Sequence, residues 1–218
     1  MMKAFSLPII LLLLISACSS EKKPDTNAPK ETASLQAKAV LDTAKYLELG
    51  DDLVGETKRK ISTTLVEAME KGGVKYASQF CNLVAYPIVD SMSKVHNARI
   101  RRVSDKPRNP KDAMNDDEQK VFALFKAKAQ VPNSELTPIL MQHDDGTVGY
   151  YAPIKISMPT CLNCHGEVGK DINAEDYKVL KSLYPNDVAV GYKEGDLRGM
   201  FSIQFSKMHA PLEKTSSN

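Results

Sequence analysis

The chain has 218 residues, and its 29 lysines and arginines are nearly balanced by 27 aspartates and glutamates, which leaves a formal net charge of +2. This balance, without a long basic run, argues against a nucleic-acid-binding protein. With no tryptophan and only 6% aromatic residues, a large core made of protein alone is not expected.

The N-terminal segment is predicted to be a secretory signal peptide. Lys3 supplies a short positive region, residues 7–15 are almost entirely apolar, and residues 16–17 are small. This apolar stretch is too short to remain as a transmembrane helix. The pattern resembles a bacterial lipobox, which implies that residues 1–17 are removed and that Cys18 is lipidated. An ordinary signal peptide that ends near a cysteine is the alternative.

Lipidation of Cys18 would hold the protein on a membrane surface, because each buried methylene contributes about 0.8 kcal/mol. Ser19 follows, and by resemblance to other Gram-negative lipoproteins this favours the outer membrane. We therefore expect a periplasmic protein that is lipid-anchored there. Residues 18–34 are polar, contain two prolines and show no hydrophobic period. They are predicted to form a disordered tether with a mean reach of about 20 Å.

The folded domain is predicted over residues 35–210, with a flexible tail at 211–218. Its first helix is expected over residues 35–49. Gly50 and the two aspartates after it offer a stop and a new N-cap, so that helix should end there.

Two more helices are expected before the first strand. Apolar residues recur at helical spacing over residues 61–69, and the pair Gly72-Gly73 should end that helix. A further apolar stripe covers residues 74–88. Pro87 lies inside this stripe and should kink or end the helix near Val84.

After Asn97 the pattern changes to strands, which alternate apolar and polar residues. The predicted strands are residues 98–104, 136–142, 148–157 and 199–206. A hairpin turn is expected at Asp144-Asp145-Gly146. Two helices are inserted, at residues 116–129 and 174–182. Helices followed by an antiparallel sheet with inserted helices indicate the α+β class.

Cys161-Leu162-Asn163-Cys164-His165 is a C-x-x-C-H run, the attachment signature of c-type haem. The two thiols add to the porphyrin vinyl groups, and the histidine falls under the iron as its proximal ligand. A zinc half-site would need further ligands at short spacing, and a redox dithiol does not require the histidine. Export agrees with haem c, because bacteria attach it outside the cytoplasm. One covalent haem c is therefore predicted.

Other short motifs follow one another along residues 61–205 in a specific order and spacing. They are Cys81 in C-x3-A-x-P, Arg102-Val103-Ser104, Arg108-Asn109-Pro110, Tyr151 with Pro153, the haem motif with Gly166, Asp187-x-Ala189-x-Gly191-Tyr192 and Gly195-Asp196-Leu197-Arg198-Gly199. With these motifs the chain resembles the periplasmic single-haem c domains of PAS-like fold, which are found alone and in bacterial sensors. The resemblance implies a sheet of about five antiparallel strands with haem packed against it. It also implies iron held between His165 and Cys81.

The roles predicted for the other cysteines also draw attention to Cys81. Once Cys18 carries lipid and the haem motif forms thioethers, it is the remaining thiol in an oxidising compartment. The alternative is a small buried apolar residue on a helix stripe. Met158, Met200 and Met208 are competing soft ligands, since Met/His ligation is usual in electron-carrying cytochromes c.

The basic cluster at residues 99–108 has two interpretations. It is either a solvated strand face and loop, or it includes Arg102 and Arg108 as clamps on the haem propionates, because guanidinium pairs with carboxylate through two hydrogen bonds. Tyr151 and Tyr192 either hydrogen-bond the same propionates or line the pocket.

Two functions fit these predictions. The first is a redox- or gas-responsive sensor: on reduction the iron–thiolate bond weakens, the thiol takes a proton, and a site opens for NO or CO. The second is a low-potential, membrane-tethered electron carrier, because a thiolate ligand lowers the reduction potential. With no kinase or membrane-spanning output segment, signalling should pass through an unknown redox or signalling protein. No catalytic residue is identified, and peroxidase-type catalysis is not expected.

Overall fold

The computed structural model describes residues 41–206, except for the side chains of Cys81 and Asn82. Its elements, in chain order, are α1 (Thr43–Val95), β1 (Ala98–Val103), a 3-10 helix (Pro110–Asp112), α2 (Asp116–Ala129), β2 (Ile139–Gln142), β3 (Val148–Lys155), α3 (Pro159–His165), α4 (Ala174–Leu183) and β4 (Leu197–Phe205). The predicted signal peptide, Cys18, the tether, Met208 and the C-terminal tail lie outside the described residues. So do both predicted domain bounds, which stay a prediction. No helix in the described part is long and apolar enough to cross a membrane.

The strands form an antiparallel sheet in the order β1-β4-β3-β2, which confirms the α+β class. The described residues contain four strands, where the resemblance implied about five. The segment after β1 makes a single bridge, between Ser104 and Ala113. Pro107 and Pro110 lie inside it, and because proline has no backbone N–H the segment cannot continue a ladder.

Helix α1 does not stop at Gly50, so that prediction was wrong. Gly50 is buried and lies so close to the Tyr150 ring that a Cβ would overlap it. The Tyr150 hydroxyl donates a hydrogen bond to Asp51 at 2.5 Å, and Leu53 is buried in the core. The glycine is therefore needed for the close approach of α1 to the sheet, and the helix continues past it.

The break at Gly72-Gly73 is confirmed, because Gly73 has φ 62° and ψ −157° inside α1. Pro87 was predicted to kink or end the helix near Val84, and an end there is wrong, since α1 continues through Pro87 to Val95. Proline removes one backbone donor at a cost of about 3 kcal/mol. Val89 and Met92, which follow it, are buried against the sheet and offset that loss.

The two faces of the sheet carry two cores, because successive strand residues point to opposite sides. The α1-side core contains Tyr150 and Ile203, and the α2-side core contains Tyr151 and Phe122. Helix α2 spans the predicted residues 116–129 and begins with a capping box made by Asn115 and Glu118. The β2–β3 hairpin is confirmed, with Gly146 at φ 81° in its turn.

Candidate haem site

A cavity of about 640 Å³ lies between both parts of α1, the ends of three strands and α3. Its apolar wall includes Ile61, Leu65, Met69, Ala77 and Ala85 of α1, Ile154 and Ile156 from the end of β3 and the segment after it, and Leu180 of α4. Cavities of about 300–1,000 Å³ with mainly apolar walls and a few polar groups are typical of cofactor sites. The size and lining therefore suit a large, mostly apolar cofactor.

The C-x-x-C-H run forms the short helix α3, which Pro159 begins. Residues three apart on a helix lie on the same face. Cys161 and Cys164 accordingly both line the cavity, together with His165. Both cysteines are partly exposed. Among the described residues, no three His, Cys, Asp or Glu side chains cluster as ligands for a metal ion.

His165 has the hydrogen bonding expected of a ligand histidine. Its Nδ1 lies 2.8 Å from the carbonyl oxygen of Ala189. A carbonyl only accepts, so Nδ1 carries the proton and Nε2 keeps the free electron pair. Burial, and then the Arg198 and Arg108 cations, lowers the pKa of His165 well below its usual value. The neutral imidazole is the form that binds iron.

Arg108 lies on the cavity wall but is engaged by protein groups. Its Nε donates to Asp187 Oδ2 at 3.0 Å, and a second guanidinium nitrogen donates to the backbone carbonyl of Cys164. Asp187 Oδ1 accepts from the Ala189 N–H at 2.8 Å. The side chain predicted to hold propionates instead joins the attachment helix to the loop behind His165.

Tyr192 stands behind His165. Its ring meets the imidazole edge-on, with centroids 6.2 Å apart, and its backbone N–H donates to the His165 carbonyl at 2.9 Å. Two cations lie over the Tyr192 ring, with Lys106 Nζ 4.5 Å and Arg198 Cζ 5.4 Å from its centroid. Tyr192 thus supports the predicted proximal ligand.

The structure does not bring Tyr151 into the site. Its ring is fully buried in the α2-side core with Phe122 and Phe125. The hydroxyl accepts a hydrogen bond from Gln204 Nε2 at 3.3 Å, and burial raises its pKa to about 12. Its neighbour Tyr150 packs on α1. The sequence placed Tyr151 near the haem through its motif, but strand alternation directs the side chain to the opposite face.

Arg102 and Arg198 are the arginines on the cavity wall that have no ion pair with a described residue, although the Asp112 carboxylate interacts electrostatically with both. Burial lowers the pKa of Arg198. A cation in such a place calls for an anionic partner. Sequence reasoning missed Arg198 as a site residue, although it lies in the Gly195–Gly199 motif, and that motif was the signal that could have found it.

The other candidate iron ligands, at positions 81, 200 and 158, differ in where they lie relative to the cavity. Position 81 lies in α1, four residues after Ala77 and four before Ala85, and both alanines line the cavity. Residues four apart share a helix face. Met200 is fully buried in the α2-side core, across the sheet. Met158 is half exposed at the cavity edge, just before α3.

Comparison with known proteins gives two matches. The sequence model of the Tll0287-like family (Tll0287) matches residues 26–206. The crystal structure of the cyanobacterial haem-protein Tll0287 aligns with a TM-score of 0.54 at 22% identity, covering 74% of this chain and 96% of that chain. At this identity the likeness supports the fold. No curated protein matches the chain.

Proposed function

The chain belongs to the Tll0287-like family, and from this premise we propose that it is a haem c protein of the bacterial periplasm that works as a redox- or gas-responsive module. The observation that carries the proposal is the placement of His165. Its Nδ1 proton is held by a backbone carbonyl, and the imidazole shares one cavity wall with both cysteines of the motif.

The residues of the cavity fit a haem c. Cys161 and Cys164 would form the two thioethers, and His165 Nε2 would be the proximal ligand. Arg102 and Arg198 would pair with the two propionates, since guanidinium–carboxylate pairs are charge-assisted and geometrically matched. The apolar wall from α1 would cover the macrocycle and exclude water.

Cys81 is proposed as the second axial ligand. Its position in α1 is four residues from both Ala77 and Ala85, which line the cavity, and the likeness in sequence motifs supports a thiolate there. Bound haem c supplies one-electron chemistry and, when an axial position is vacant, a site for a small gas. Cys81 would act as an anionic donor when deprotonated and as a much weaker one when protonated, so its proton would set whether that position is occupied.

Export and anchoring belong to the same proposal. Cys18 would carry lipid and hold the haem domain at the periplasmic face of a membrane, most naturally the outer one given Ser19. A protein partner, of redox or signalling type, would receive the signal.

An electron-transfer cytochrome is the second candidate. Cys161 and Cys164 are partly exposed, and Met158 beside them is half exposed. A haem edge at such a surface could exchange electrons directly with another protein.

Covalent attachment is tested by replacing both motif cysteines. The wild type, produced with a c-type maturation system, should retain haem through denaturing electrophoresis, and Cys161→Ser/Cys164→Ser should lose it. Cys81→Ser is the matched control, because it removes a thiol that is proposed to bind the iron and not the vinyl groups, so covalent haem should be kept. Release of all haem from the wild type into acidified organic solvent would refute attachment.

The sensor and the carrier are separated by a redox titration followed by CO. A sensor should bind CO in the reduced state and change its absorption spectrum. A carrier should keep both axial ligands in the reduced state and leave the spectrum unaltered under CO.

A further inference from the structure

A buried ion pair lies one step behind the predicted proximal ligand. Arg108 Nε and Asp187 Oδ2 are 3.0 Å apart, and their side chains are 14% and 0% exposed. From the sequence, propionate binding was one of two alternatives for Arg108, and Asp187 was not among the predicted site residues. A buried pair of this kind is costly to form, so its placement needs a reason.

The pair closes a ring of hydrogen bonds around His165. Arg108 also binds the Cys164 carbonyl, next to His165 in the chain. Asp187 uses its other oxygen, Oδ1, for the Ala189 N–H at 2.8 Å, and the Ala189 carbonyl receives the His165 Nδ1 proton at 2.8 Å. Asp187 and Ala189 are both buried.

Each contact in this ring fixes a different degree of freedom. Binding of Oδ1 to the Ala189 N–H fixes the turn at residues 187–189, from which the Ala189 carbonyl faces His165. Arg108 holds that turn and α3 at a constant separation, because one rigid guanidinium bonds to both. The imidazole is thereby oriented from the side away from the cavity.

We propose that Arg108 and Asp187 are positioning residues that fix the Ala189 carbonyl on His165 Nδ1 and so set the orientation and basicity of the proximal ligand. The inference rests on the proposed function, in which His165 binds the haem iron. It assigns Arg108 to the ligand rather than to the propionates.

The consequence is a lower reduction potential. A hydrogen bond from Nδ1 makes the imidazole a stronger donor, and outer-shell partners of this kind tune a metal site. A stronger donor favours the oxidised iron. Loosening the ring should weaken the hydrogen bond from His165 Nδ1 to the Ala189 carbonyl and raise the reduction potential.

A purely electrostatic role predicts something different. Removing the Asp187 charge would leave a cation near the iron and raise the potential, whereas removing the Arg108 charge would leave an anion and lower it. Positioning predicts a rise for both changes. The direction in which Arg108→Gln shifts the reduction potential therefore distinguishes the two roles.

The experiment uses the haem-loaded protein with Arg108→Gln, Asp187→Asn and the double variant. Asn can still accept from the Ala189 N–H, but its NH2 group cannot accept from Arg108. The potential is measured by redox titration, and the g-values of the oxidised iron by electron paramagnetic resonance, because they respond to imidazole orientation. Each single variant should raise the potential by roughly the equivalent of a tenfold change in the redox equilibrium, about 59 mV.

The double variant should shift no further than either single one, because both residues act through one ring. Arg101→Gln and Glu118→Gln are matched controls. Arg101 likewise joins a buried carboxylate, at 2.6 Å, to backbone carbonyls, but it does so beside α2. These controls should lower the unfolding temperature and leave the potential and g-values unchanged.

Arg108→Lys is a second variant, to be measured if Arg108→Gln does not load haem. It keeps the charge, but a single ammonium cannot hold both Asp187 and the Cys164 carbonyl, so the potential should again rise. Unchanged potential and g-values in haem-loaded variants would overturn the inference, and so would opposite signs for the two single variants. A wild type without covalent haem would overturn the proposed function instead.

Discussion

The arginines near the cavity differ in what their charges already meet. Arg101 and Arg108 each have a carboxylate within hydrogen-bonding distance, whereas Arg102 and Arg198 have no ion pair among the described residues. Burying a cation without an anion is unfavourable, so a cation left in this state in the folded protein indicates an expected anionic ligand. The unpaired arginines identify the side of the cavity at which we place the propionates.

Arg198→Met tests this assignment through two forms of the protein. In the haem-loaded form the change should lower the free energy of unfolding by about 1.5–3 kcal/mol, the size of a charge-assisted hydrogen bond. In haem-free protein, produced in the cytoplasm without the signal peptide, it should raise that free energy, since a buried cation without an ion pair is removed. Denaturant unfolding measures both.

Arg101→Met is the control for this comparison. It leaves the buried Glu118 carboxylate without its cation and should destabilise both forms alike, by about 3–5 kcal/mol. If Arg198→Met also lowers the stability of both forms equally, Arg198 is a structural residue and does not hold a propionate.

Cys81→Ser is the residue-scale test of the second axial ligand. Serine keeps the size but removes the soft anionic donor, so the reduction potential should rise by at least about 59 mV, a tenfold change in the equilibrium. The oxidised spectrum should change from the low-spin thiolate type. Ala85→Ser adds a hydroxyl one turn along the same face and should change neither property.

An unchanged spectrum and potential in Cys81→Ser would make the cysteine a packing residue. Met200 could not replace it, because it lies across the sheet in the α2-side core. Met208, outside the described residues, would become the first candidate, and the electron-carrier proposal would gain.

At the scale of the elements, α1 decides the shape of the cavity. Its two parts meet at Gly72-Gly73, and side chains from both parts line the wall. Gly73 has φ 62° and ψ −157°, a region that in practice only glycine occupies. The break lets one helix wrap two sides of a flat cofactor, which a straight helix cannot do.

Gly73→Ala should therefore lower the free energy of unfolding by about 1–3 kcal/mol, through backbone strain. No atom lies within 4 Å of the added Cβ, so steric overlap does not contribute. Gly55→Ala is the matched control. It lies within α1, its Cβ would meet only Arg59 at 3.5 Å, and it should stabilise by about 0.5–1 kcal/mol. A Gly73→Ala protein as stable as the wild type would show that the break relaxes without strain.

The helices also show which features of the sequence were enough to predict where an element begins and ends. Residues 116–129 were predicted as a helix with the observed bounds from the apolar residues Val121, Leu124 and Phe125, and the capping box found at its start is also a local feature. Gly50 and Pro87 misled the prediction, since both act through distant partners. Gly50 makes room for Tyr150, and the buried Met92 keeps α1 continuous beyond Pro87. Such contacts across the sheet are invisible to a local pattern.

In the candidate site, too, some features depend on neighbouring residues in the chain and others on distant ones. The C-x-x-C-H run is local, and the structure places its three residues on one wall as the spacing requires. The partners of Arg108 and the face of Tyr151 depend on residues dozens of positions away. The sequence identified the arginine cluster but could not distribute its members between protein carboxylates and a ligand.

At the scale of the whole molecule, the cavity replaces part of a core that the chain itself does not fill. The sheet has an apolar cluster on each face, and the cavity lies beside α3, where β1 and β3 end and β4 begins. The scarcity of aromatic residues agrees with this arrangement, because a bound macrocycle would supply the missing apolar volume. The haem is thus proposed to be a structural component as well as a functional one.

Cys18→Ala tests how the whole molecule is placed in the cell. Cys18 is predicted to be separated from the folded domain by a polar tether, so losing its lipid should abolish membrane association without disturbing the haem. After fractionation and a salt wash, the variant should be found in the soluble fraction with an unaltered absorption spectrum. Ser20→Ala, two residues further on, should remain with the membranes. Full retention of Cys18→Ala after the wash would contradict the lipid anchor and would leave an uncleaved signal segment as the attachment.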